Sequence, residues 1–237
     1  MFILTGAGIS AESGVPTFRG EDGLWRSYRP EELATPQAFR RDPRLVWEWY
    51  GWRRGRVSDC EPNAGHRALA RLALDRPARI VTQNVDGLHE VAARDEAGGS
   101  DWSAASPLEL HGSLFRVRCT ECAYHGCDRS PIDATDREAL PSCPECGALL
   151  RPDIVWFGEA LDPLVLTAAF DEARGADLCL VVGTSAVVQP AASLPGVTKD
   201  AGGFVIEVNP QVTPLTDFAD VALQGPAGVV LPTLMGV

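Results

Sequence analysis

The sequence predicts an α/β fold: a parallel sheet wrapped by helices, with a smaller cysteine-bearing module inserted. Three observations predict it. Short apolar runs end abruptly in Gly, Ser, Thr, Asn or Gln, the first of them leads straight into a glycine turn, and two Cys-x-x-Cys pairs fall between later runs. Phe2-Ile3-Leu4-Thr5 opens into Gly6-Ala7-Gly8. A continuous apolar run reads as a strand buried on both faces, the habit of parallel sheets. Glycines at the turn let backbone N–H groups approach a pyrophosphate, and a following helix start favours its charge. Gly6-x-Gly8-x-x-Ala11 therefore reads as a dinucleotide turn in a Rossmann-like sheet. The helix after it has about one turn before Gly14 and Pro16 break it. An ordinary Rossmann unit continues into a long helix and a second strand. Here a polar loop follows with Phe18 and Arg19, which predicts a cofactor lying under a mobile loop and used as a reactant rather than a hydride carrier.

The next stretch is rich in Trp and Arg and helical in pattern. Asp42 to Arg53 reads as a capped helix on which Tyr50 and Arg53, three apart, share a face. A buried Arg fork beside a phenol makes a receptor for a carboxylate; the alternative is an aromatic helix with a solvent-facing Arg. Ala64–Leu74 reads as a helix with His66 at its start as a structural hydrogen-bonder. Arg79-Ile80-Val81-Thr82 is a strand running into Gln83-Asn84-Val85-Asp86, and His89 packs on the helix after it. Leu108-Glu109-Leu110 leads to His111 and Gly112. Of the four histidines, His111 leaves a strand at a turn close to the domain junction, where a neutral imidazole can serve as a base near pH 7.

Cys119-x-x-Cys122 and Cys143-x-x-Cys146 are separated by 20 residues. This is the two-knuckle spacing of tetrahedral zinc. Four thiolates close the coordination sphere, so the metal is structural. His125 and Cys127 lie between the pairs as competing ligands, while Cys60 and Cys179 read as core thiols. Pro163–Arg174 is a helix capped by Asp162. Leu178 to Val182, Phe204 to Val208 and Val221 to Leu223 complete the strands, ending at Gly183-Thr184-Ser185, Asn209-Pro210 and Gln224-Gly225. Open α/β sheets bind ligands beyond the carboxyl ends of their strands, and these ends make a polar rim suited to a nucleotide. Residues 1–24, 78–116 and 153–237 are assigned to the sheet domain, and 25–77 with 117–152 to a small helical and zinc-binding domain.

A net charge of −11 over 237 residues, with no Lys/Arg cluster, argues against a nucleic-acid partner. No apolar run approaches the ~20 residues needed to cross a bilayer, and Met1 to Leu4 lacks the features of a signal peptide. A cytoplasmic monomer with reduced or metal-bound cysteines is the expectation.

Taken together, these residues resemble the sirtuin family of NAD-dependent protein lysine deacylases. The matches are Gly6-Ala7-Gly8-Ile9-Ser10 with Thr17-Phe18-Arg19, and Thr82-Gln83-Asn84-Val85-Asp86-Gly87-Leu88-His89. They continue through His111-Gly112, the four cysteines, Pro152-Asp153-Ile154-Val155-Trp156-Phe157-Gly158-Glu159 and Gly183-Thr184-Ser185. They cover almost the whole chain in order. Family members usually begin with a helix before the first strand, and this sequence starts at the strand. The resemblance implies NAD bound between the two domains, an acyl-lysine peptide in the same cleft, and one structural zinc. The acyl oxygen would attack the ribose carbon bearing nicotinamide to give an alkylimidate, and His111 would act as base on a ribose hydroxyl. The products would be free lysine and O-acyl-ADP-ribose. Gly6, Ala7, Gly8 and Ser10 would hold phosphates, Asn84 and Asp86 the ribose and carboxamide, and Gly183, Ser185, Asn209 and Ala227 the adenosine. Ile9, Glu12, Thr17, Arg19, Trp25, Gln83 and Thr184 would complete the cofactor contacts, and Phe18 would shield the reacting centre. Val155, Trp156, Phe157 and Gly158 would pair with the peptide backbone. Tyr50-x-x-Arg53 with Ala34 resembles the branch that removes malonyl, succinyl and glutaryl groups. The alternatives are acetyl-lysine removal with Arg53 a bystander, mono-ADP-ribosyl transfer, and a non-catalytic zinc-ribbon or nucleotide-binding module.

Overall fold

The structure is a computed structural model that describes residues 1–17 and 29–236, the side chain of Pro30 excepted; Phe18, Arg19 and Trp25 therefore lie outside the described residues. In chain order the strands are β1 (Phe2–Thr5), β2 (Arg79–Thr82), β3 (Leu108–Glu109), β4 (Gly112–Cys119), β5 (His125–Cys127), β6 (Leu150–Ile154), β7 (Leu178–Val182), β8 (Phe204–Asn209) and β9 (Val221–Gln224). The helices are α1 (Pro30–Leu33), α2 (Pro36–Arg41), α3 (Pro43–Ser58), α4 (Ala64–Asp75), α5 (Leu88–Ala97), α6 (Pro163–Arg174), α7 (Leu194–Asp200) and α8 (Ala227–Met235). One parallel sheet runs β3-β2-β1-β7-β8-β9, and a separate antiparallel sheet runs β5-β4-β6.

Alternation along β1 divides the main core. Phe2 and Leu4 pack with Val81, Cys179, Val181 and Val205 against Ala169, Ala173 and Leu194 of α6 and α7. Ile3 faces the other way, with Ile80, Leu180 and Val182, against Leu69 of α4, Ala93 of α5 and Leu231 of α8. A strand covered on both faces admits a polar residue only where it finds a partner, as Thr5 does with Thr82, which is why these runs are mostly apolar. β1 lies between β2 and β7. The chain fans outward from that line in both directions, so it is the switch point at which α/β sheets open a crevice.

The antiparallel sheet has its own core, in which Trp47, Trp49 and Tyr50 of α3 pack with Leu114, Val117, Leu150 and Trp156. Trp47 Nε1 donates to the Leu150 carbonyl at 2.9 Å, and Arg54 Nε to that of Leu114 at 2.6 Å, pinning α3 across the sheet. Helix starts follow their caps. The side chains of Thr35, Asp42, Asn63 and Asp162 accept first-turn N–H groups of α2, α3, α4 and α6.

Candidate active site

A cleft of about 1070 Å³ lies beyond the carboxyl ends of β1 and β7. Its floor is the opening turn. Residues Ala7–Ser13 form a 3-10 helix rather than an α-helix, closed by Gly14 at φ 85°. Gly6 N donates to the Val182 carbonyl at 3.0 Å and Gly8 N to that of Gly183 at 2.7 Å. A Cβ on Gly8 would stand 2.7 Å from the Gly183 backbone, and one on Gly6 2.8 Å from Thr184. Two backbones can cross this closely only without side chains. The crossing lays a strip of bare main chain along the cleft, the surface a pyrophosphate needs.

A buried polar network fixes that strip from behind. Ser10 Oγ donates to Asp86 Oδ2 at 2.8 Å, receives Asn84 Nδ2 at 3.1 Å, and meets His66 Nε2 at 3.2 Å. Thr5 Oγ1 bonds Thr82 Oγ1 and meets His89 Nε2 at 2.9 Å. Burial pushes the Asp86 carboxyl up, against the Leu88 N–H and Ser10 contacts. Burial also lowers both imidazoles, His66 well below its ordinary value and His89 to about 4. An unfolded His89 titrates near 6.5, so the unfolded chain takes up a proton first and stability drains away as pH falls from 6.5 toward 4. Between pH 7 and pH 5 the loss from His89 alone is expected to be about 2 kcal/mol. Urea unfolding at the two pH values should show this loss, and His89→Gln should remove it; a slope unchanged in that variant would refute the assignment.

His111 lies in the short connection between β3 and β4 and lines the cleft. Its Nδ1 is 2.9 Å from the Gln83 carbonyl. A carbonyl only accepts, so Nδ1 carries the hydrogen and Nε2 keeps its lone pair. Burial pushes the ring's pKa down, partly offset by the Gln83 contact, which leaves a neutral imidazole at pH 7. The backbone is equally constrained. Val155 N donates to the His111 carbonyl at 3.0 Å, and Gly112, at φ 80°, would place a Cβ 2.0 Å from the Asp153 carbonyl oxygen.

Ala34, Tyr50 and Arg53 line the same cleft. Arg53 is 6% exposed, with its guanidinium 4.9 Å from the Trp49 ring and 5.8 Å from that of Tyr50. Burial lowers its pKa, opposed by Tyr50 and Asp86; burial raises that of Tyr50, whose oxygen accepts Trp156 Nε1 at 2.9 Å. Val155, Trp156, Phe157 and Gly158 form the adjoining wall.

Thr17, Gln83, Asn84, Gly183, Thr184, Ser185 and Asn209 also line the cleft. Gln83 Nε2 donates to Thr184 Oγ1 at 3.0 Å and Asn209 Nδ2 to the Thr184 carbonyl at 2.9 Å, joining the rims of three strands. Ser10 and Asp86 stand behind the wall, and Ile9 and Ala227 are core residues. Glu12 turns to α8, accepting Gly228 N at 2.7 Å. Sequence reasoning missed the segment 210–214, which borders the cleft. The buried Glu207 holds it, accepting from Thr213 and Thr216 hydroxyls, and no motif announces that arrangement.

The Sγ atoms of Cys119, Cys122, Cys143 and Cys146 all lie within 4.8 Å of one another. The contacts Cys119–Cys146 and Cys122–Cys143 measure 3.5 and 3.6 Å, close to the ~3.8 Å edge of a tetrahedron with ~2.3 Å zinc–sulfur bonds. Glu121 N and Cys122 N both point at Cys119 Sγ, as thiolate stabilisation in a knuckle requires. The donor set fits one zinc, with no position open for water.

Comparison with known proteins agrees with this geometry. The model of the Sir2 family matches residues 6–190. An NAD-dependent protein deacylase from Pyrococcus furiosus is 52% identical over 238 residues, spanning 98% of this chain and 90% of that protein. Among solved structures, a Sir2 homolog–NAD complex superposes with a TM-score of 0.87 at 51% identity, covering 99% of this chain and 88% of the other. A Sir2–p53 peptide–NAD+ complex gives 0.83 at 31% identity, covering 99% and 91%.

Proposed function

This chain belongs to the Sir2 family, and on that premise we propose that its NAD-dependent deacylation of protein lysine is tuned to acidic acyl groups, succinyl, malonyl and glutaryl, over acetyl. The observation that carries the reading is Arg53. Its guanidinium is buried in the same cleft as His111, beside a neutral phenol. Burying a cation costs several kcal/mol of solvation, and a carboxylate received in a bidentate fork returns much of it. Ala34 leaves room for the longer chain.

The remaining roles follow from position. The bare main chain of Gly6, Ala7 and Gly8 faces the phosphates, and Asn84, Thr184, Ser185 and Asn209 take the sugars and adenine. NAD, when bound, supplies the ribose carbon that accepts the acyl oxygen and the nicotinamide that leaves. His111 Nε2 takes a proton from a ribose hydroxyl while Gln83 holds the opposite N–H and so stabilises the charged ring. The peptide adds as a strand along Val155 to Gly158. Zinc, when bound by Cys119, Cys122, Cys143 and Cys146, would take no part in the chemistry; it would brace the antiparallel sheet on which α3 packs, whereas α4, expected in the same small domain, packs on the main sheet.

A second reading, acetyl removal with Arg53 as a bystander, is favoured by the stacking of that guanidinium on Trp49, which houses the charge without any carboxylate. Turnover of succinyl- and acetyl-lysine peptides, followed by mass spectrometry of NAD consumption, separates the two. Arg53→Met is expected to lower succinyl kcat/KM by about 100-fold and acetyl turnover by less than about threefold. Unchanged succinyl turnover would discard the carboxylate receptor. Nicotinamide release without any acyl-peptide would count against a deacylase of either kind.

A further inference from the structure

We propose that Glu159, braced by Arg151, is a positioning residue that locks segment 154–158 onto the base, the acyl pocket and the Tyr50 phenol together. The inference rests on the reading above, in that this segment is taken as the strand that meets the peptide.

The segment is held from three functional directions. Val155 N donates to the His111 carbonyl at 3.0 Å, and Phe157 N to that of Ala34 at 3.0 Å. Trp156 Nε1 donates to the Tyr50 oxygen at 2.9 Å. The three contacts fall on consecutive residues and lead to different elements, so a small rotation at Trp156 would disturb them together. Glu159 prevents that rotation. Its Oε2 accepts Trp156 N at 2.9 Å, and its own N–H donates to the Trp156 carbonyl at 3.0 Å, closing a tight reciprocal turn.

Arg151 braces the turn from below. Nη1 and Nη2 meet the two Glu159 oxygens at 2.6 and 2.8 Å, a bidentate pair, and Nη2 also reaches the Ile154 carbonyl at 2.9 Å. Its Cζ lies 3.4 Å from the Trp156 ring centroid. Arg151 is 7% exposed. A largely buried pair of this kind adds little net stability over apolar packing, whereas its fixed fork geometry defines orientation sharply. The pair also continues a line of alternating charge, through Arg118 (3.1 Å to Glu159), Asp153, Arg116 and Glu109, to β3 at the edge of the main sheet. The turn is thereby referenced to the sheet that carries the cofactor loop. Glu159 itself supplies no reacting atom.

The test uses the full-length, zinc-loaded protein and compares Glu159→Ala and Glu159→Gln with wild type by amide hydrogen exchange and by steady-state kinetics with NAD and a succinyl-lysine peptide. Local opening governs exchange at a single turn. Glu159→Ala is expected to speed exchange at the Trp156 and Phe157 amides by about 10-fold or more, with β1 and β7 amides unchanged. Peptide KM should rise about 10-fold or more while KM for NAD stays within about twofold, and Glu159→Gln, which keeps an acceptor for Trp156 N, should recover most of both effects. Unchanged exchange at Trp156 with unchanged peptide KM would overturn the proposal. So would a parallel rise in both KM values with faster exchange across the main sheet, since that describes a general loss of fold. Should Glu159→Ala fail to fold, Arg151→Lys, which loses the bidentate fork, carries the same comparison, with Glu159→Gln as the conservative control. Failure of wild type to turn over any acyl-peptide would refute the deacylase reading alone, because the exchange result still decides whether Glu159 locks the turn.

Discussion

Replacing His111 by Asn is expected to lower deacylation by about 10²- to 10⁴-fold, the range that a positioned general base contributes. Asn can donate its amide hydrogen to the Gln83 carbonyl, so the wall of the cleft should survive while the lone pair of Nε2 is lost. Nicotinamide release should persist in the presence of acyl-peptide, because the proton transfer assigned to this ring follows departure of the base. The pH profile gives an independent check. Burial holds the His111 pKa below its ordinary 6.5, and the proposed base is the neutral ring. The acid limb of kcat/KM should therefore be centred below pH 6.5. Wild-type turnover in His111→Asn, or an acid limb centred above 6.5, would remove His111 from the chemistry.

The second large effect concerns the metal. Structural zinc sites contribute on the order of 10 kcal/mol at pH 7. Without the metal, the short strands β4, β5 and β6 are left with their packing against α3. Cys143→Ala, or extraction by a strong chelator, should take zinc content from one ion per chain to none and melt this sheet. Near-ultraviolet dichroism should record it, since Trp47 and Trp156 belong to the same cluster. The consequence reaches the site because β6 runs directly into Val155, which bonds the His111 carbonyl. Deacylation should fall by more than about 100-fold with the local structure, and restored zinc should recover it in the chelated protein. Full metal content and an unchanged melting temperature in Cys143→Ala would contradict the assignment of that ligand.

How much of this was legible depended on how locally each feature is encoded. β1, β2 and β7 have the expected bounds because strands buried on both faces are written as unbroken apolar runs, and α6 begins after Asp162 because cap and proline are adjacent. The cysteine pairs were equally plain, each knuckle being a four-residue pattern. β4 and β6 were harder. Arg116 and Arg118 alternate with buried Phe115, Val117 and Cys119 on a sheet with one wet face, and the cysteines dominate the composition around them. At the site, the histidines could not be ranked by spacing alone. What distinguishes His111 is the Gln83 carbonyl, 28 residues away and brought near by the pairing of β2 with β3. Glu159 closed a matched stretch but was given no role, because a carboxylate three residues after a tryptophan is ordinary until its pairing with Arg151 is seen. Glu12 was assigned to the cofactor on its place in a motif, while its partner in the fold, Gly228, lies 216 positions further on.

That last contact, with the pairing of Phe2 to Cys179 across the middle of the main sheet, has a bearing on how the molecule is made. The residues of β1 must wait for those of β7, translated much later, before their central ladder can close, a separation that slows folding. A polypeptide arrested before β7 would present a glycine turn with one bank missing and no neighbour for its edge. Such fragments should bind no nucleotide and should need chaperone protection, so that nucleotide capture marks a chain translated past β7.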